Sequence, residues 1–432
     1  MWQAAGTGAG GRLFRALIGA LIGVSAAAQF ALVPVMPVYA RRFGLSGFEQ
    51  GMVLGATGLA TLVVSGPAGA MSDRFGPRRV TLAAGLLMAA ATAAQALSGL
   101  ALPGGFPVLL AARLAFGAGY GMVWTAGLCW LAGAAAGGPP ALGGSVAAAG
   151  VGGVAGPAAS GALAQHIGLA GPLLVTAAGF AVITAGLAAF GVPSGSAAPR
   201  AGRGPSLRGV AVNRDLAGAA AAVVTAGLST GVCALLIPAR LQAAGASAGQ
   251  IGLYFAAAGI MFAAGSAVTA AAGRRAVSLP VACVGMLVLV AALTPAVVGA
   301  APPALLVMLC VTTAARSVLW TVSYALAASA GQGSTGQPGV GLGASIGLLN
   351  LIWAATAVLG PLAAGLAAER LGAGVAFGLT QAACAIALAV AAAMTWRGRT
   401  GTRPEAPSAA GTASLGPEGR ARRGSGRSGV ES

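Results

Sequence analysis

Twelve apolar runs, each long enough to cross a bilayer, follow one another along this chain of 432 residues. A spanning helix needs about 20 mostly apolar residues. The runs cover approximately 13–39, 48–70, 80–101, 106–132, 142–164 and 170–192, then 216–238, 249–272, 277–300, 303–329, 340–366 and 373–396. Only 7% of the residues are charged while 57% are hydrophobic, whereas a soluble domain carries roughly 25% charged residues. That leaves too little polar surface for water and makes lipid the solvent. In lipid, each backbone N–H and C=O must be satisfied within its own segment, so the runs are expected to be helices. The predicted fold is all-α and membrane-integral. The first run is about twice a signal-peptide core and is expected to stay as the first span.

The net charge of +17 is carried by 24 basic residues, all of them arginine. Stretches such as 83–112 hold no charge, and most arginines sit between the runs. With the N-terminus inside, 18 arginines fall in cytoplasmic segments and four (Arg41, Arg42, Arg240, Arg370) in external ones. This asymmetry is a topology signal and places both termini in the cytoplasm. It does not describe a nucleic-acid surface, and no nucleic acid is expected as a partner. Residues 1–12 form a short tail. Residues 193–215, rich in Ser, Gly and Pro with Arg200, Arg203, Arg208 and Arg214, read as a flexible basic linker. It separates a six-helix bundle over 13–192 from a second over 216–396. The segment 397–432 holds seven arginines and too few apolar residues to bury a core, so it is expected to be a disordered cytoplasmic tail.

The two bundles repeat each other. Gly156-Pro157-Ala-Ala-Ser160-Gly161, ending at Gly168, returns 204 residues later as Gly360-Pro361-Leu-Ala-Ala-Gly365, ending at Gly372. Ala-Ala-Arg113 returns 203 residues later as Ala-Ala-Arg316. Spacing kept this closely over such a distance points to internal duplication. Two parallel six-helix repeats are an architecture for alternating access around a central site.

Three segments carry chemistry. After the second run comes Gly69-Ala-Met-Ser-Asp73-Arg74-Phe-Gly76-Pro77-Arg78-Arg79. Gly69 permits close helix contact, Gly76 a tight turn, and Asp73 can accept hydrogen bonds or pair with an arginine. The fifth run carries Gly143, Gly152, Gly156, Pro157 and Gly161, small residues that let backbones approach beside a proline that bends the helix. The fourth run reads Leu109-Leu-Ala-Ala-Arg113-Leu-Ala-Phe-Gly117-Ala-Gly119. Arg113, Gly117, Tyr120 and Trp124 share one helical face, as do Arg316, Trp320, Ser323 and Tyr324 in the tenth run. An arginine inside a membrane faces a cavity or a partner. Both readings, ligand binding and structural bonding to carbonyls, stand for Arg113 and for Arg316. Gln29, ahead of Pro34 and Pro37 in the first run, is a further candidate for the cavity or for interhelical packing.

These segments resemble the Major Facilitator Superfamily of transporters, twelve-helix type, and the fifth run is similar to that of its drug-exporting, drug:proton antiporter branch. Two departures stand out: Pro77 takes the first basic slot of the signature loop, and Ser160 stands where the exporters have a glycine. The resemblance implies a monomeric carrier without cofactor. In it, residues 69–79 latch the cytoplasmic ends of the halves, the first, fourth, seventh and tenth helices line a central cavity, and protons serve as a coupling ion.

The residues themselves qualify that picture. The seven acidic residues (Glu49, Asp73, Asp215, Glu369, Glu405, Glu418, Glu431) all lie outside the middle of the runs. The one histidine, His166, sits near the end of the fifth. A cavity with arginines and no carboxylate prefers neutral or anionic ligands. The chain has no lysine for a phosphate loop and no acid–base cluster, so neither an enzyme nor an ATP-driven pump is expected. The five cysteines are scattered through apolar runs, in no metal-ligand spacing. The expected function is secondary transport of a small molecule across the cytoplasmic membrane, as export of an apolar or anionic metabolite or drug. Import of an organic anion, and a non-transporting sensor or assembly partner, are the alternatives.

Overall fold

The computed structural model describes residues 9–98, 105–133, 139–189, 213–332 and 342–400. Twelve helices in it are long and apolar enough to cross a membrane. In the first half these are α1 (Ala9–Ala31), α2 (Gly47–Phe75), α3 (Pro77–Ser98), α4 (Gly105–Met122, prolonged through Gly133), α5 (Pro139–Ile167) and α6 (Ala170–Ala189). The second half holds α7 (Arg214–Ala243), α8 (Ala248–Ala272), α9 (Leu279–Ala292, prolonged through Val297), α10 (Pro302–Gln332), α11 (Leu342–Leu371) and α12 (Ala373–Thr400). Most of the linker and the tail beyond residue 400 lie outside the described residues. Asn213, at the linker's end, caps α7 by accepting from the Asp215 and Leu216 N–H groups.

The repeat seen in sequence is structural. α2 and α8 both start with a capping box, Ser46 with Glu49 and Ser247 with Gln250, 201 residues apart. α5 and α11 are each followed by a glycine at positive φ, Gly168 at 74° and Gly372 at 91°. A residue with a Cβ would be strained there, which is why the duplicated segments both end on glycine.

The first apolar run is not one helix. α1 stops at Ala31, and a short helix, Met36–Phe43, follows a turn. Pro34 supplies no N–H, and the Val35 N–H donates to the Leu32 carbonyl. The Ala31 carbonyl therefore lacks its usual donor, and the Ser160 hydroxyl of α5 donates to it at 2.6 Å. The serine that breaks the exporter pattern thus satisfies a carbonyl freed by proline. α4 also departs from regularity: Val123–Gly127 form a wide π turn before Leu128–Gly133 resume the α-helix.

Each half has its own packed centre. Phe14, Met88, Phe116, Trp130 and Phe180 fill one, and Leu216, Val223, Met286, Leu319 and Phe377 the other. Large apolar residues on the outer helix faces, such as Val151, Val182, Val268 and Ile386, are exposed, which carries no penalty against lipid tails.

Glycines set how closely helices pack. A Cβ on Gly152 or Gly156 would collide with the Gly23 carbonyl or the Ala27 backbone of α1. Across the halves, α2 meets α11 with Gly47 on Gly365, Gly51 on Pro361, Gly55 on Val358 and Gly58 on Ala357. α5 meets α8 with Gly161 on Ala248 and Gly252, and Val154 on Gly259. With twelve crossings both termini share one face, and these contacts lie toward the other, the far face. Nearer the termini face, Gly66 and Gly69 of α2, Gly150 of α5 and Gly347 of α11 have no atom within 4 Å of where a Cβ would sit. The halves are joined at the far face and diverge toward the termini face.

This contrast within one helix gives a test. Gly152→Ala overpacks the α1–α5 contact and is expected to cost about 1–3 kcal/mol, lowering the Tm in detergent. Gly150→Ala, two residues away, is expected to leave the Tm unchanged.

Candidate functional site

Between the halves, short of the far-face contact, lies a cavity. The first half supplies Gln29, Phe30 and Val33 from α1 and the turn after it, Leu54 from α2 and Arg113 from α4. The second supplies Gly227, Thr230, Gly231 and Ala234 from α7, and Trp353, Ala357 and Pro361 from α11. No lining residue is acidic and one is cationic.

Arg113 is 1% exposed. Its Nε donates to the Val53 carbonyl at 3.4 Å and its Nη2 to the Gln29 carbonyl at 3.5 Å, while the guanidinium lies 5.4 Å from the Phe116 ring. Both bonds are long against the 2.7–3.2 Å usual for N–H···O. Nη1 is buried without a hydrogen-bond partner, and so is the Oε1 of Gln29. Placing an arginine at the centre of a membrane helix costs roughly 2.5–3.5 kcal/mol, and two stretched bonds to neutral carbonyls offset only part of that. The cavity wall therefore holds a cation with unused hydrogen-bonding capacity.

Arg316 is the repeat's counterpart and is better satisfied. It donates to the Thr230 hydroxyl at 3.0 Å and to the Thr313 hydroxyl at 2.8 Å. Each arginine thus ties the fourth helix of its half to the first, Arg113 at Gln29 and Arg316 at Thr230. Gln29 and Thr230 are themselves 201 residues apart, the offset of the two capping boxes. Thr230, which accepts from Arg316, lines the cavity.

The aromatic stripes sit differently. Phe116, Tyr120 and Trp124 form a ladder with ring centroids 6.2 and 5.9 Å apart, packed on the first half's core. Of that face, only Arg113 lines the cavity. In the second half Trp320 contacts Tyr324 at 5.0 Å and Trp353 at 6.0 Å, edge to face, and Trp353 lines the cavity. The Tyr324 hydroxyl donates to Asn350 Oδ1 at 2.5 Å. Thr230 and Trp353 escape a reading by motif, although doubling the sequence at the capping-box offset pairs Gln29 with Thr230. Trp353 has no such signal, since its position opposite Arg113 arises only from helix packing.

The remaining predicted residues lie apart from the cavity. In the signature loop, Gly76 takes φ 84° at the end of α2, and Pro77 opens α3, a position where a missing N–H costs nothing. Arg78 donates to the Ala188 carbonyl at 2.9 Å, in the last turn of α6, where the helix dipole favours a cation. Asp73, Arg74 and Arg79 are exposed at the diverged termini face, and Arg74 lies 5.2 Å from the Phe75 ring. Gly69 faces open space. Gly143 lies on α5, Gly152, Gly156 and Pro157 beside it, and Gly161 at the α8 contact. Gly360, Pro361 and Gly365 repeat that series on α11, where Gly360 meets Gly231, and Pro361 and Gly365 meet α2.

The far-face contact has one charged element. The Phe48 N–H, in the first turn of α2, donates to the Glu369 carboxylate of α11 at 3.2 Å. The equivalent contact between α8 and α5 brings Gly249 against Gln165, an uncharged amide 204 residues before Glu369. A carboxylate at a helix N-terminus is stabilised by the dipole, so the two far-face contacts differ in strength.

Two six-helix repeats around a central cavity, joined at one face and apart at the other, define a polytopic alternating-access transporter fold. The profile of the Major Facilitator Superfamily matches residues 18–338, well over half of the sequence, and the chain belongs to that family. No curated protein sequence matches it. Among solved structures it is similar to a bacterial homologue of the human lysosomal transporter Spinster in an inward-facing and unoccupied conformation. The TM-score is 0.73 at 14% identity, over 93% of this chain and 100% of that one. The occupied form of that protein gives 0.72 at 14% identity, over 90% and 98%. A D-xylose–proton symporter gives 0.63 at 16% identity, over 88% and 96%. At such identities the likeness is one of fold.

The asymmetry at the far face yields a prediction. Glu369→Gln should open the α2–α11 contact more often, raising far-side maleimide labelling of a cysteine placed at Ala357 by about twofold. The natural cysteines are replaced by serine in this assay. Gln165→Ala at the sister contact should change labelling less.

Proposed function

We propose that this family member is a secondary transporter that exports an anionic or apolar small molecule across the cytoplasmic membrane, with both termini in the cytoplasm. The observation that carries the reading is Arg113, buried on the cavity wall with an unpartnered Nη1 and no carboxylate near it. An anion entering between the halves would restore the bonds that the protein leaves unmade. Orientation rests on the arginine count, which puts the signature loop and the open face inside. Export is supported by the α5 glycine–proline series, whose glycines carry the close α1 contact. Gly152 and Gly156 let α5 shift along α1 without side chains interlocking.

The cycle needs no covalent chemistry. Substrate enters from the termini face and meets Arg113. The termini face closes as the α2–α11 and α5–α8 contacts part, and substrate leaves on the far side. Asp73, Arg74 and Arg79, exposed in the present arrangement, would hold the closed termini face. Protons, the coupling ion implied by the family resemblance, find no carboxylate on the cavity wall, so the charge compensated there is the substrate's own. The same wall would serve uptake of an organic anion, and the direction of the effect in cells separates the two.

Growth of an efflux-deficient bacterial host expressing this chain, across a panel of toxic organic acids and neutral apolar compounds, tests the reading. Protection by the native chain and its loss in Gly156→Leu, with membrane insertion retained, is the expected outcome. Sensitisation instead of protection would establish uptake. Unchanged protection in Gly156→Leu would refute a moving α1–α5 contact. Asp73→Asn should slow turnover several-fold while leaving substrate affinity within about twofold, because Asp73 is far from the cavity.

A further inference from the structure

The interrupted end of α1 is capped by side chains from two other helices. We propose that Pro34 and Ser160 are positioning residues for Arg113. The proline deprives two carbonyls of α1 of their helical donors; Arg113 takes one of them and Ser160 the other. The proposal rests on reading Arg113 as the cation of the transport site.

The two carbonyls are identified by where the N–H groups go. In a continuous helix the Val33 N–H donates to Gln29 and the Val35 N–H to Ala31. Here Val33 donates to the Phe30 carbonyl at 3.1 Å and Val35 to the Leu32 carbonyl at 3.2 Å, one residue short in each case. Pro34, between them, has no N–H to give Phe30. Tightening the turn in this way leaves the Gln29 and Ala31 carbonyls to outside donors. Arg113 Nη2 of α4 donates to Gln29 at 3.5 Å, and the Ser160 hydroxyl of α5 donates to Ala31 at 2.6 Å. The negative end of the α1 dipole lies at these carbonyls and favours a cation beside them. The break in α1 therefore supplies a reason for a buried arginine to stand at this point of the wall.

The place of Ser160 fits the same reading. α5 lies on α1 in steps of four, with Gly152 against Gly23, Gly156 against Ala27 and Ser160 against Ala31. At the first two steps a Cβ would collide with the α1 carbonyl, and both carbonyls lie in the continuous part of that helix. At the third the carbonyl has lost its donor, and there the series changes from glycine to a hydroxyl residue that is 2% exposed.

The second half provides the control. α7 runs unbroken from Arg214 to Ala243. Leu235 stands 201 residues after Pro34, and Ala364 stands 204 after Ser160. Arg316 has the Thr230 hydroxyl where Arg113 has a main-chain carbonyl. Proline, serine and the carbonyl-bound arginine occur together in one half and are replaced together in the other.

Thermal melting of the purified full chain in detergent, as double-mutant cycles, tests the caps. Ser160→Ala should lower the Tm by about 2–4 °C, by leaving the Ala31 carbonyl unbonded. Pro34→Ala restores the missing N–H, so in its background Ser160→Ala should shift the Tm by less than about 1 °C. Arg113→Leu should likewise cost more in the native chain than in the Pro34→Ala chain. Equal effects in the two backgrounds would overturn the proposal. Where Ser160→Ala yields no folded protein, its recovery on adding Pro34→Ala is the expected result. Failure of that recovery, or of Pro34→Ala itself to fold, would overturn the proposal too. The growth panel reads the placement of Arg113. Pro34→Ala should lose the native chain's effect toward organic acids and keep any effect toward neutral compounds. An acid effect retained, or both effects lost equally, would remove the positioning role. A native chain without effect on growth removes the transport reading and the role of Arg113 with it, while the thermal cycles still decide the caps.

Discussion

Helices in lipid have no hydrophobic reason to associate, because the tails are as apolar as their side chains. What holds this molecule together is close backbone approach at glycine. Gly152 and Gly156 bring α5 onto α1, Gly227 and Gly231 bring α7 onto α11, and Gly47, Gly51 and Gly365 join the halves. A gap of about 0.5–1 Å already forfeits roughly a quarter to a half of each dispersion contact, so these contacts weaken quickly as helices separate. That suits a molecule that must exchange one set of interhelical contacts for another. The same glycine that meets a backbone at the far face has a neighbour on its helix, such as Gly66 or Gly69, that meets nothing.

The cavity depends on this arrangement. Arg113 is held by carbonyls of α1 and α2, and the proline turn after α1 fixes where those carbonyls point. Ser160 secures the turn from α5. The cation is thus positioned by the helices whose glycines carry the mobile contacts, and a change in the α1–α5 packing alters the surroundings of Arg113 directly. The second half shows the other solution. There the pseudo-equivalent Arg316 donates to two hydroxyls, where Arg113 has two long bonds to carbonyls. The two copies differ in what the first helix of each half offers its arginine, the Gln29 backbone carbonyl or the Thr230 hydroxyl.

Much of the fold was legible in the sequence. The twelve spans, the duplication and the glycine turns at Gly76, Gly168 and Gly372 follow from lipid's demand for internal hydrogen bonding and from the φ freedom that only glycine has. The break after Ala31 was signalled by Pro34 and Pro37 as a bend but not as a full stop, because a proline's effect depends on what satisfies the freed carbonyl, and Ser160 lies 129 residues away. The π turn at Val123–Gly127 left no mark. For the site, helical periodicity put Arg113, Tyr120 and Trp124 on one stripe, yet Tyr120 and Trp124 pack on the core. A face defined by the helix axis does not say which part of it meets the cavity and which meets a neighbouring helix. Trp353, on the opposite wall, belongs to a helix that sequence had assigned only to packing.

The far face adds a constraint that neither half shows alone. The carboxylate of Glu369 sits on the first turn of α2, whereas the sister contact offers Gln165 to α8. A duplicated structure with equal contacts would part both together; here one carries a charge–dipole interaction that the other lacks. α5, on the side without that interaction, is also the helix that packs on α1 through glycine and secures the turn after it.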